Sequence, residues 1–153
     1  MEMRNCVIVE ACRTAVGSMG GGLKPVSAYD LACVVMQGIL DRTGIDPKEI
    51  DEVIMGQCRQ TSDEPNIARM AALKVGIPAE ASAHTVMRQC ASAMTAVQNG
   101  AMQIMTGLSD VVLAGGTESM PDVLYTGSGV NGTVIDAANA GLFAAIQDIL
   151  EYS

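Results

Sequence analysis

Tryptophan is missing from this sequence, phenylalanine occurs once, and His84 is its one histidine. With aromatics at 3%, a core must be filled by aliphatic side chains, methionine and alanine. Basic residues are scarce too. Nine lysines and arginines face 17 carboxylates, a net charge of −8. That balance excludes the basic footprint of a nucleic-acid binder and a polybasic membrane anchor. The five cysteines (Cys6, Cys12, Cys33, Cys58 and Cys90) are odd in number and contain no C-x-x-C pair. Neither a disulfide framework nor a metal site is expected from them. The apolar run from Cys6 to Val9 is too short for a signal peptide, and Glu2 and Arg4 precede it. The longest uncharged stretch, Gln89 to Ser109, holds Gln89, Ser92, Thr95, Gln98, Asn99 and Gln103, a poor bilayer span. What is present is 153 residues at 49% apolar and 17% charged. This is enough for one packed domain in a reducing, cytoplasmic-type compartment.

The order of segments predicts an α/β fold. Cys6-Val7-Ile8-Val9, Val53-Ile54-Met55, His84 to Val86 and Val111 to Ala114 read as short strands of a mostly parallel sheet. Between the first two, Arg13 to Val26 is a glycine-rich loop. Ser27 then caps a helix that Gly44 ends, with Leu31, Val34, Val35 and Ile39 on one face. Asp46-Pro47 begins a short helical turn, and Pro65 to Val75 forms a second helix stopped by Gly76-Ile77-Pro78. A third helix follows Cys90. Alternating strands and helices place helices on both faces of the sheet. Residues 1–120 form this α/β unit. Residues 121–153 change character, with Gly127, Gly129 and Gly132 in a loop and helical spacing through Leu142, Ile146, Ile149 and Leu150. The chain stops inside that amphipathic pattern, as a chain cut short would.

Cys90 is singled out by its position. It stands where a strand hands over to a helix whose sides are nearly all apolar or small, from Ala91 and Ala93 to Ile104 and Met105. Such a helix should lie in the centre of the domain. A thiol at its amino end feels the positive end of the helix dipole, which favours the nucleophilic thiolate. First-turn N–H groups beside it suit an oxyanion. The competing reading is that free cysteines are commonly small buried hydrophobes. Cys6 and Cys33 fall inside a strand and a helix and read as core; Cys12 and Cys58 follow strands and read as surface or packing residues.

Other residues stay with bland roles. His84 lies near enough in sequence to raise a Cys–His dyad, yet a strand histidine satisfied by backbone or solvent is the simpler reading. Arg13-Thr14 and Arg69 read as structural charges. Glu118-Ser119 either caps the end of the fourth strand or faces the site. Gly127-Ser128-Gly129-Val130-Asn131-Gly132 matches G-x-G-x-x-G, with Glu151 near the distance of a ribose-binding acid. No further strand follows to hold that acid, so a glycine loop is the better reading.

Four blocks taken in order resemble the thiolase family of acetyl-CoA acetyltransferases. They are Arg13-Thr14-Ala15-Val16-Gly17, Asp51-Glu52-Val53-Ile54-Met55-Gly56, Arg88-Gln89-Cys90-Ala91-Ser92 and Ala114-Gly115-Gly116-Thr117-Glu118-Ser119-Met120. The resemblance runs from about Val7 to Met120, and Ile135 to Ser153 is similar to the segment beyond. It implies the N-terminal half of the layered thiolase fold, with residues 121–153 starting the loop domain that holds coenzyme A. It implies Cys90 as the acylated nucleophile, acyl-CoA and CoA as substrates, and no permanently bound cofactor. It implies a homo-oligomer of fatty acid metabolism, or pairing with a separate C-terminal half. The acid/base cysteine, the activating histidine and the water-orienting asparagine of the family belong to that half, and His84 matches none of them. The sequence departs from the family at Met87, where Asn is usual, and at Ala93, where Gly is usual. A non-catalytic fragment acting only in assembly is the alternative expectation.

Overall fold

The computed structural model describes residues 3–18 and 20–120. Three parallel strands form one sheet in the order β2-β1-β3, with β1 at Glu52–Gly56, β2 at Ser82–Val86 and β3 at Val112–Gly116. β1 is central and buried along its whole length, which explains its unbroken apolar run Val53-Ile54-Met55. The register pairs Gly56 with Val86 on one side and with Gly116 on the other, so all three strands end level. Asp51 helps set it. Its carboxylate accepts the Asp110 N–H (2.7 Å) and the Val111 N–H (3.0 Å), tying the entry of β3 to that of β1. The Val111 and Asp110 hydrogen bonds hold the Asp51 carboxyl below its ordinary pKa.

Helix α1, Ala28–Thr43, starts and ends as its sequence requires. Ser27 Oγ accepts the Asp30 N–H (3.0 Å), and Gly44 adopts φ 65° while donating to Leu40 O. Its inward face is Ala28, Leu31, Ala32, Met36 and Leu40. This corrects the expected face: Val34 is exposed, and Val35 and Ile39 are only half-buried. The chain uses the small side chains of Ala28 and Ala32 for close packing and leaves the β-branched Val34, Val35 and Ile39 less buried. A 3₁₀ turn at Pro47–Glu49 follows, capped by Asp46. Helix α2, Ile67–Lys74, is capped by Asn66, which also donates to Ala83 O (3.1 Å) and accepts from Thr85 Oγ1 (3.0 Å), locking α2 to β2.

Val53 and Met55 join residues of α1 and α2 in one apolar cluster. Ile54, equally buried, points to the opposite face, where helix α3 (Ser92–Thr106) crosses the sheet. Helices therefore cover both faces. α3 buries only one side, through Ser92, Ala93, Ala96 and Gly100; Met102 on its outer side is exposed. The expected central helix is thus a one-sided one among the described residues.

The expected strand at Cys6–Val9 does not form. A strand exists by pairing, and the three strands pair with one another, none with this segment. It is held instead through Arg4, which donates to Met105 O (3.0 Å) and bridges to Asp110 (2.6 Å). Val7 and Val9 are left 73% and 83% exposed. The glycine loop at Gly127–Gly132, the helical pattern beyond it and the 121–153 division lie outside the described residues.

Candidate active site

The carboxyl ends of parallel strands open on one edge of the sheet, and the segments leaving β1, β2 and β3 meet there. Cys90 sits in the turn between β2 and α3. The helix begins two residues later than its thiol, with Ala91 as cap and no capping side chain. Cys90 is exposed rather than packed as a core residue. The turn that presents it is bent at Gln89, whose φ of 52° makes it the one positive-φ residue other than glycine among those described.

Ser92 holds this turn from inside. Its hydroxyl, fully buried, accepts the Arg88 N–H (2.8 Å) and donates to Gln89 O (2.6 Å). From the end of β1 comes Cys58, whose Sγ donates to the same Gln89 carbonyl (2.7 Å) and lies 3.8 Å from Ser92 Oγ. From the end of β3 comes Glu118, whose Oε2 accepts the Cys58 N–H (2.6 Å). Three strands therefore deliver Cys58, Cys90 and Glu118 to one place. Cys58 and Glu118 are contributions that sequence reasoning missed or left open. Ser119 points elsewhere and fixes the exit of β3 by donating to Val26 O (2.9 Å).

Burial sets the electrostatics of this cluster. It pushes the Glu118 carboxyl up, against the backbone hydrogen bonds from Cys58 and Arg59 that favour the carboxylate. It also pushes the Cys58 thiol up, an effect that the Glu118 charge reinforces and the Ser92 hydrogen bond opposes. The raised Glu118 value has a sign in stability. Folding favours its protonated form, so its contribution is lost as pH rises from the ordinary 4.5 through the folded value. Glu118→Gln removes that titration. Across the same window, the urea midpoint of the variant should rise relative to that of the parent protein; parallel midpoints would refute the assignment.

The remaining candidates fall away from this edge. His84 Nδ1 lies 2.9 Å from Glu52 Oε1, a carboxylate at the entry of β1, so strand direction separates it from Cys90. Arg69 is structural, donating to Ala81 O (2.7 Å) and Ala79 O (2.8 Å). A shallow depression lined by Glu52, Asn66, Arg69 and His84 does not adjoin Cys90. Ala93 is fully buried, and the room its helix needs comes from Gly56 beneath it; Met87 is exposed. No group of three or more metal-ligating side chains occurs among the described residues. No helix among them is long and apolar enough to cross a membrane.

The thiolase N-terminal domain family model matches residues 6–142. The chain is 43% identical over 118 residues to a probable acetyl-CoA acyltransferase of Staphylococcus aureus (strain NCTC 8325 / PS 47), covering 77% of this chain and 30% of that protein. An acetyl-CoA acetyltransferase of Cupriavidus necator is 44% identical over 118 residues, with the same coverage. The crystal structure of the Bacillus anthracis acetyl-CoA acetyltransferase superposes with a TM-score of 0.79 at 40% identity, over 95% of this chain and 37% of that one. The chain thus spans about a third of the length of these relatives. By sequence and by fold, it belongs to the thiolase family and corresponds to its N-terminal domain.

Proposed function

We propose that Cys90 is the nucleophile of a thiolase-type acyl transfer. Its thiolate attacks the carbonyl of an acyl-CoA thioester, the tetrahedral oxyanion collapses, and CoA leaves as its thiol. The acyl group then passes to the carbanion of acetyl-CoA, or the sequence runs in reverse as thiolysis. The observation that carries this reading is the exposed Cys90 thiol, held by Ser92 at the amino end of α3 where three strand exits converge. Positive partial charge at that helix end favours the oxyanion.

The acid, the base and the water-orienting group belong to a C-terminal half, supplied by further chain or by a second subunit. Turnover without them falls by a factor on the order of 10² to 10⁴. Coenzyme A thioesters are substrates in this reading, and no resident cofactor takes part. The assembled enzyme is a cytoplasmic homo-oligomer of fatty acid metabolism.

Acylation is testable without turnover. Incubation with acetyl-CoA, followed by peptide mass spectrometry, should place an acetyl group on Cys90, and Cys90→Ser should abolish it. Equal labelling of Cys6, Cys12, Cys33 and Cys58 would refute the assignment.

A further inference from the structure

Cys58 is a member of the cluster that the proposed acyl transfer does not use. It leaves β1 as Cys90 leaves the neighbouring strand β2, and Gln57 extends that pairing by donating to Val86 O (3.1 Å). Its sulfur lies 2.7 Å from the carbonyl oxygen of Gln89, the residue bonded to Cys90. In a planar trans peptide that oxygen lies on the same side as the next Cα, so Cys58 Sγ is within roughly 5.5 Å of the Cys90 Cα. Cys90 Sγ rotates on an arc about that Cα, so a change of its side-chain rotamer can carry it toward Cys58 Sγ, to which a disulfide would hold it at about 2.05 Å. Both sulfurs are free thiols, Cys90 exposed and Cys58 half-buried, so a small oxidant reaches the pair. Of the other cysteines, Cys12 donates to Val35 O and Cys33 hydrogen-bonds Tyr29.

We infer that Cys58 and Cys90 form a reversible disulfide under hydroperoxide, closing the nucleophile to acyl-CoA. The Cys90 thiolate attacks the peroxide and the O–O bond breaks; Cys90 becomes a sulfenic acid, and the departing hydroxide takes up from solvent the proton that the thiol had released and becomes water. Cys58 then attacks the sulfenic sulfur, giving up the thiol proton that it directs at Gln89 O. The S–S bond forms, the S–O bond breaks, and hydroxide leaves with that proton as a second water. Two thiols lose two electrons and one peroxide gains them. A dithiol reverses the step by exchange. Negative charge on Cys90 would add to the forces that keep Cys58 protonated.

The closing of the site rests on the acyl-transfer reading, whereas the cross-link rests on geometry alone. The test treats the reduced chain with equimolar hydrogen peroxide, blocks free thiols with maleimide, and maps peptides without reduction. A Cys58–Cys90 linked peptide that dithiothreitol removes is expected, together with a fall of roughly tenfold or more in acetyl-CoA labelling, restored by dithiothreitol. In Cys58→Ser the loss should become irreversible as Cys90 proceeds to the sulfinic acid. Sulfinic Cys90 beside maleimide-labelled Cys58 in the parent protein would overturn the proposal, as would a cross-link between chains. A 58–90 link in a protein that acetyl-CoA never labels would overturn acyl transfer and leave the disulfide standing.

Discussion

Gly56→Ala is expected to destabilise the fold by about 3 kcal/mol or more and to abolish acetyl labelling of Cys90. A Cβ at residue 56 would stand 2.3 Å from both Ala93 N and Ser92 C, and 2.6 Å from Ser92 O. These are backbone atoms at the start of α3, and they have no rotamer through which to retreat. β1 is clamped between β2 and β3, so the helix end must move instead. Moving it displaces Ser92 and, with it, the turn that presents Cys90. Gly100→Ala supplies the contrast. There the new methyl meets Val112 Cγ1 at 2.9 Å, a side-chain atom that can shift, and the cost should be about 1 kcal/mol. Urea midpoints of the two variants rank the sites. A Gly56→Ala protein as stable as Gly100→Ala would show that the helix does not rest on the strand this closely.

This contact also marks where sequence stops being informative. The Ser27 cap, the Gly44 end and the buried run of β1 are local: each needs only residues a few positions apart, and each was legible. Cys6–Val9 carries the same apolar signal as β1, yet pairing depends on a neighbour that no local pattern specifies. Val34 misleads in a related way, because hydrophobicity alone cannot tell which of two adjacent helix faces has the small residues that permit close packing. Gly56 passed unnoticed although it ends a strand of otherwise bulky residues, a hint of close approach by another backbone. Cys90 stands at the strand-to-helix junction that the sequence already shows. Cys58 and Glu118 needed the topology: only when β1 is known to lie between β2 and β3 do three strand exits fall together. His84 lies away from Cys90, and its partner Glu52, 32 residues away, follows only from the parallel register.

Ser92→Ala should separate the positioning of Cys90 from its accessibility. The Ser92 hydroxyl is fully buried and serves two backbone groups of the turn, accepting from Arg88 and donating to Gln89. Its removal leaves the Arg88 N–H without that acceptor, while Gln89 O keeps the Ser92 N–H (3.1 Å) and Cys58 Sγ (2.7 Å). The two lost hydrogen bonds cost about 0.5–1.5 kcal/mol each, and the positive φ at Gln89 gives the freed turn reason to relax. Acyl transfer depends on sulfur placement to within about an ångström, so acetyl-CoA labelling should fall on the order of 10²-fold. Iodoacetamide, a small reagent that needs only an exposed thiol, should alkylate Cys90 at nearly the parent rate. Both rates are to be taken well below the unfolding midpoint, so that lost stability does not enter. Equal losses with the two reagents would mean that Ser92 merely supports the fold. Unchanged acetylation would mean that the turn holds Cys90 in place without it, through Gln89 and the end of β2 alone.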